Sequence, residues 1–254
     1  TMKTFNSLVY LILVSLILTS CQQEKKINIS LEKLDGSPKY SNAVLELEKT
    51  KLNEQSDDNE VEFSFAVKNY QLGAQTDSPN SKQLANSAKG QHIHFILNNE
   101  PYSAHYDSDF IKKIPSGVNY LVAFLSRSYH ESVKNKNSVV FHKLEVGDNP
   151  IDNIDLNMDS PVLIYSRPKG NYSKKDSDDL LLDFYLLNTS LSEDGNKVRV
   201  TVNGKEFIIT EWMPYLIKGL PIGEVIIKLE LLDNKGGMIP GAFNQVTRSV
   251  MFNE

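Results

Sequence analysis

The chain has 254 residues, with 27 Lys and Arg against 32 Asp and Glu, five His and a single Cys. A formal charge of −5 without clustered basic runs excludes a nucleic-acid surface, which needs Lys and Arg to displace counterions. One Cys leaves no intramolecular disulfide and no thiolate metal site, and the lack of G-x-S-x-G, H-E-x-x-H and a Gly-rich phosphate loop removes the common hydrolase, metalloprotease and nucleotide signatures. The expectation is a protein that is not an enzyme and requires no cofactor.

The first segment, residues 1–20, starts with Lys3 and continues through an apolar run from Leu8 to Leu18. It reads as an export signal helix, because a membrane span needs about 20 apolar residues. The run ends in Leu18-Thr19-Ser20-Cys21, which resembles the lipobox of bacterial lipoproteins, and the only Cys of the chain stands where that family carries its lipid. The resemblance implies cleavage before Cys21, acylation of that residue and attachment to a bilayer. Gln22 follows, where an Asp would resemble an inner-membrane retention signal, so the implied address is the outer membrane of a Gram-negative envelope. Residues 21–26 are polar and read as a solvated tether.

Beyond the tether, apolar and polar residues alternate with a period of two, the mark of half-buried strands. Ala43, Leu45 and Leu47 form one such run, and Val61, Phe63, Phe65 and Val67 another, with Gly, Pro, Asn and Asp between runs. The Ser- and Asn-containing stretch from Gln75 to Lys89 reads as a surface loop. No sustained helical stripe occurs.

The chain also matches itself. Val61–Leu72 aligns with Leu180–Leu191, and Gly90–Asn99 with Gly195–Gly204, the latter pair ending in the turn dipeptides Asn98-Asn99 and Asn203-Gly204. Ile114–Gly117 aligns with Leu220–Gly223, and Gly117–Val146 runs beside Gly223–Phe252 without a gap. Four matches in order argue for a duplicated domain. The expected fold is all-β: two tandem immunoglobulin-like antiparallel β-sandwich domains, residues 27–149 and 160–254, joined by a linker over 150–159. The resemblance to immunoglobulin-like domains is one of strand pattern, without their disulfide, and implies no antibody-like function.

Duplication supplies an internal control. All five His fall in the first copy, and the second has Lys197 and Arg199 where the first has His92 and His94. If Asn98-Asn99 is a two-residue turn, His92 faces His105 and His94 faces Ser103 across a hairpin. Alternation then sets His92, His94, His105 and Asp107 on one side, and Ile93, Phe95, Leu97, Tyr102 and Ala104 on the other. The apolar side should be the core and the His side the outer face, with facing Cβ atoms about 5 Å apart. Three imidazoles so placed can hold zinc at about 2.0–2.1 Å, or copper, with Asp107 as a fourth ligand or as a hydrogen-bond partner of one ring. His130 is expected on a loop at one end of the sandwich, and His142 partly buried.

A second candidate is aromatic. Trp212 and Tyr215 fall at a strand-to-loop corner of the second copy, where a sugar or peptide stacks on such rings. Together these readings give a lipid-anchored cell-envelope protein that acts by binding a protein or glycan partner or by structural interaction. The alternative is a zinc- or copper-binding envelope protein built on the His face.

Overall fold

A computed structural model describes residues 28–53, 59–176 and 179–254; the signal segment and Cys21 lie outside the described residues. The chain is all-β. In order the strands are β1 (Ser30–Lys33), β2 (Val44–Leu52), β3 (Glu60–Lys68), β4 (His92–Leu97), β5 (Ser103–His105), β6 (Asp109–Lys113), β7 (Gly117–Ser126) and β8 (Val139–Val146). There follow β9 (Val162–Arg167), β10 (Gly170–Ser173), β11 (Leu180–Leu187), β12 (Lys197–Val202), β13 (Lys205–Ile209), β14 (Tyr215–Lys218), β15 (Gly223–Leu232) and β16 (Gln245–Asn253).

These strands make two sandwiches of matching topology. The first packs the sheet β2-β3-β6 against β5-β4-β7-β8; the second packs β1-β14-β11-β9 against β10-β16-β15-β12-β13. The aligned halves of the sequence correspond strand for strand in sheet order, β7 to β15 and β8 to β16, and the special backbone positions recur. Asn69 and Asn188 both have φ of 55°, and Gly117 and Gly223 have φ of 106° and 103°. Each sandwich has its own core. Phe63, Phe65, Ile93, Phe95, Leu121, Ala123 and Leu125 fill the first, and Phe184, Leu186, Val198, Val200, Ile227 and Leu229 fill the second. Side chains that alternate along β3 and β12 thus land as their period requires.

Two features depart from the sequence expectation. Residues 27–149 do not all belong to the first sandwich: β1 pairs antiparallel with β14, Ser30 opposite Lys218 and Lys33 opposite Tyr215, and Ile29 lies in the second core. From Ile29 onward the described chain therefore runs first in the second sandwich, crosses to the first, and crosses back. The stretch from Gln75 to Lys89 is also folded inward, since it contains a one-turn helix (Asn80–Gln83) and buries Thr76, Asn80 and Leu84.

The largest difference concerns the face of the first sandwich expected in solvent. Ile96, Val118, Tyr120, Val122 and Phe124 project from β4 and β7 away from the first core, and they pack on Val162, Ile164, Tyr185 and Leu187 of β9 and β11. A third apolar core thus joins the sandwiches. The linker belongs to it, for Leu156 is buried there and the Tyr120 hydroxyl donates to Asp152 Oδ2 at 2.6 Å. Burying one such Ile, Val or Phe contributes about 1.5–3 kcal/mol, so this contact holds the sandwiches together rather than letting them hinge. A polar latch closes one end of it: Asp183 on β11, fully buried, pairs with Lys134 and accepts from Ser132 Oγ at 2.9 Å and Ser132 N at 3.2 Å.

Candidate metal centre

His92 and His94 point from β4 into this joint, and both are fully buried, not exposed. The expected outer face is an interior one because the second copy covers it. His105 is not with them. In the hairpin Ile93 pairs with His105 and His94 with Ala104, one residue out of step with the expected register. The turn itself is as expected: Asn98 and Asn99 both have positive φ, and Glu100 N donates to Leu97 O at 2.9 Å. Pro101 then has no N–H for the ladder, and pairing resumes only at Ser103. In the second copy, with Glu206 at the equivalent place, pairing runs unbroken from Val202–Lys205 to Val198–Ile209.

A shift of one residue turns every side chain over. His105 consequently faces the first core, stacked on Phe110 at 3.5 Å, and Tyr102 and Ala104 face the joint instead of the core. Asp107 shares the parity of His105, is exposed, and is not among the groups that converge with His92 and His94.

The third imidazole is His130. It sits on the loop after β7, whose last residue Ser126 pairs with His92, so the chain leaves the sheet beside that ring. Its φ is 69°, in the left-handed region, where His is enriched relative to most side chains. The loop is braced by the 75–89 segment: Ser128 N donates to Thr76 Oγ1 at 3.0 Å, Thr76 N donates to Ser128 Oγ at 3.1 Å, and Ser87 N donates to Ser128 O at 2.8 Å. A buried Arg127–Glu131 ion pair at 2.9 Å fixes its two ends.

His92, His94 and His130 bring one nitrogen each to within 4.8 Å of the others. His92 Nε2 lies 3.0 Å from His94 Nε2 and 3.1 Å from His130 Nδ1. The proton positions follow from the outer partners. His92 Nδ1 is 2.8 Å from Gly90 O, a pure acceptor, so Nδ1 carries the hydrogen and Nε2 offers a single in-plane lone pair. His94 Nδ1 meets Ser166 Oγ of the second sandwich at 3.2 Å, and the Tyr102 hydroxyl is 3.2 Å from His130 Nδ1. Without an ion, His94 Nε2 donates to His92 Nε2, the Tyr102 hydroxyl to His130 Nδ1 and Ser166 Oγ to His94 Nδ1, so each nitrogen has a partner. With an ion between them, the three converging nitrogens turn their lone pairs to it instead.

Burial keeps these rings neutral. Desolvation lowers His92 to about 4 against a favourable bond to Gly90, with Arg167 adding to the depression. His94 is held well below the usual imidazole value by burial and by the other two rings, and His130 is lowered first by burial and then by the charge of Arg167. His105 is lowered to about 4 by its own burial and by Lys112, but it stands apart. Around the trio Tyr102 stacks on His94 at 3.6 Å, and Lys169 Nζ lies 4.2 Å from the centre of the Tyr102 ring. Neutral donors, oriented by outer hydrogen bonds and shielded from water, are the chemistry of a transition-metal site.

The aromatic candidates separate. Tyr215 is buried in the second core with its hydroxyl donating to Glu211 O at 3.0 Å, and so presents no ring to a ligand. Trp212 is half-buried, donates from Nε1 to Phe184 O at 3.0 Å, and packs edge-on against Tyr185; it forms one wall of an open cleft of about 460 Å³ with Arg127, Glu131 and Lys134. His142 on β8 is partly buried, opposite Leu121.

No protein-family model matches the chain, and no curated protein is similar to it. Among solved structures it is similar to the fibronectin(III)-like modules of CbhA from Clostridium thermocellum, at 11% identity and a TM-score of 0.29, over 81% of this chain and 94% of that one.

Proposed function

We propose that the protein is a lipid-anchored cell-envelope protein that binds a transition-metal ion where its two sandwiches meet, through His92 Nε2, His94 Nε2 and His130 Nδ1. The observation that carries the reading is the convergence of three buried, neutral imidazole nitrogens within 4.8 Å of one another, His92 Nε2 lying 3.0 and 3.1 Å from the other two. Tetrahedral zinc at about 2.0–2.1 Å from each nitrogen needs donors about 3.3 Å apart, an opening of a few tenths of an ångström. The role is binding and bracing, not catalysis, since among the described residues no carboxylate converges with the three rings to act as a base on a metal-bound water. Support for the anchor is the lipobox-like run ending at Cys21.

Metal analysis and thermal melting of the purified protein test the site. Ion at a thousandfold excess over Kd adds about 4 kcal/mol, and Tm rises by about 10 °C in a protein of this size. His94→Gln removes both the bound ion and the rise. Equal binding in that variant refutes the site.

A further inference from the structure

The charges around the cluster go further than the presence of an ion and bear on which ion. Its donor set carries no charge: three imidazoles and no carboxylate or thiolate among the described residues. Asp183 is engaged in its pair with Lys134, and Asp107 is exposed, past the end of the hairpin. What the second sandwich brings to the cluster is positive. Lys169 Nζ stands 4.2 Å from the centre of the Tyr102 ring and donates to Tyr102 O at 2.5 Å, and the Arg167 guanidinium is 5.4 Å from the same ring. Tyr102 in turn stacks directly on His94. Arg167 is buried and bonds the neutral Tyr172 hydroxyl at 2.8 Å, and among the described residues neither Arg167 nor Lys169 forms an ion pair with a carboxylate.

An ion at the three nitrogens thus lies beside two cations, Arg167, buried with Asp183 opposite it in the β9–β11 ladder, and Lys169, partly exposed. The repulsion grows in proportion to the ion's charge, and the cost of leaving water grows with its square. A divalent ion at three imidazoles also takes a fourth ligand, a water or an anion. The group in place is a neutral one, the Tyr102 hydroxyl, 3.2 Å from His130 Nδ1. A closed-shell monovalent ion accepts two or three neutral nitrogens and needs no anion.

We infer that the His92–His94–His130 site selects Cu(I) over Zn(II) and other divalent ions, with Lys169 and Arg167 as the residues that set the preference. The inference rests on the reading of this cluster as a metal site.

The test uses the purified full chain under anaerobic, ascorbate-reducing conditions. Cu(I) is titrated in competition with bathocuproine disulfonate, and Zn(II) in competition with a chromophoric zinc chelator. The expected result is one equivalent of Cu(I), not displaced by a hundredfold excess of Zn(II). In Lys169→Gln, whose side chain is partly exposed and tolerates change, Zn(II) affinity rises about tenfold more than Cu(I) affinity, the value of one unit charge removed at this range. Three results overturn the inference. Zn(II) displacing Cu(I) at parity, with both lost in His94→Gln, rejects the preference and leaves the metal site standing. An unchanged Cu(I)/Zn(II) ratio in Lys169→Gln rejects the electrostatic cause. Binding of neither ion above the level of His94→Gln removes the site itself, and the proposed function with it.

Discussion

Acidification of the metal-free protein from pH 7 to pH 5.5 should open the joint between the sandwiches. Burial lowers His92 to about 4 and depresses His94 and His130 as well, whereas an imidazole of the unfolded chain titrates near 6.5. The unfolded state therefore binds more protons as pH falls below 6.5, and stability falls with it until the folded values are reached. Over this window each ring that stays neutral costs about 1.3 kcal/mol, the three together about 4 kcal/mol, and His105, likewise lowered to about 4, adds about as much as one of them. Glu131 works the other way, since burial raises its carboxyl and the folded form takes up a proton first, so its contribution to stability grows toward lower pH. Against a total of about 5–15 kcal/mol, the trio's loss of about 4 is large by itself and lowers Tm by about 8–16 °C. Urea unfolding followed by the fluorescence of Trp212, in EDTA at several pH values, reads it directly. His130→Gln should remove about a quarter of the loss. A change below about 1 kcal/mol across the window, or the same loss in that variant, refutes the neutral buried trio.

Other tests address the elements that hold the site. Asp183→Asn takes the charge from a buried pair with Lys134 at the edge of the joint, and should cost about 3 kcal/mol in urea unfolding. Gly90→Ala should be far worse than Gly204→Ala, although φ is 84° and 83°: a Cβ at Gly90 meets Gly73 O at 2.3 Å and Ala74 O at 2.5 Å, while at Gly204 it meets nothing within 4 Å. We expect about 1 kcal/mol at Gly204 and loss of soluble protein, or a fall of several kcal/mol, at Gly90, compared by expression and melting. Cys21→Ser should move the protein from the membrane fraction to the soluble one and abolish fatty-acid labelling with Tm unchanged.

How much was legible follows from the range of each signal. Period-two alternation is local, and it placed Phe63, Phe65, Val198 and Val200 in their cores; the self-match gave the equivalence of β7 with β15 residue for residue. Register was legible up to the point where Pro101 removes a donor, after which the second copy's unbroken hairpin is no guide to the first. The covering of the His face had a trace in the sequence too. Tyr120–Leu125 and Leu180–Leu187 contain almost no exposed-type residues, and a run apolar at every position marks a strand buried on both faces, not one. His130 had no such trace, because its place beside His92 depends on the pairing of β4 with β7 and on a loop braced from a distant segment.

The same duplication explains why imidazoles stand where they do. On the equivalent face of β12 the second copy has Lys197 and Arg199, both partly exposed, and Arg199 pairs across the sheet with Glu230 at 2.8 Å. In the first copy the matching cross-strand neighbours are His94 and Phe124, and that face is covered. A Lys or Arg under cover would bring a charge without its solvent or partner, at a cost of several kcal/mol. Imidazole is the basic side chain that sheds its proton near neutrality, so burial alone accounts for a neutral polar ring at His92 and at His94. Burial does not account for their convergence. A covered strand needs only one such ring, satisfied by Gly90 O or by Ser166 Oγ; three nitrogens turned toward one point, one of them on a loop with positive φ, make a neutral donor set that fits a cation.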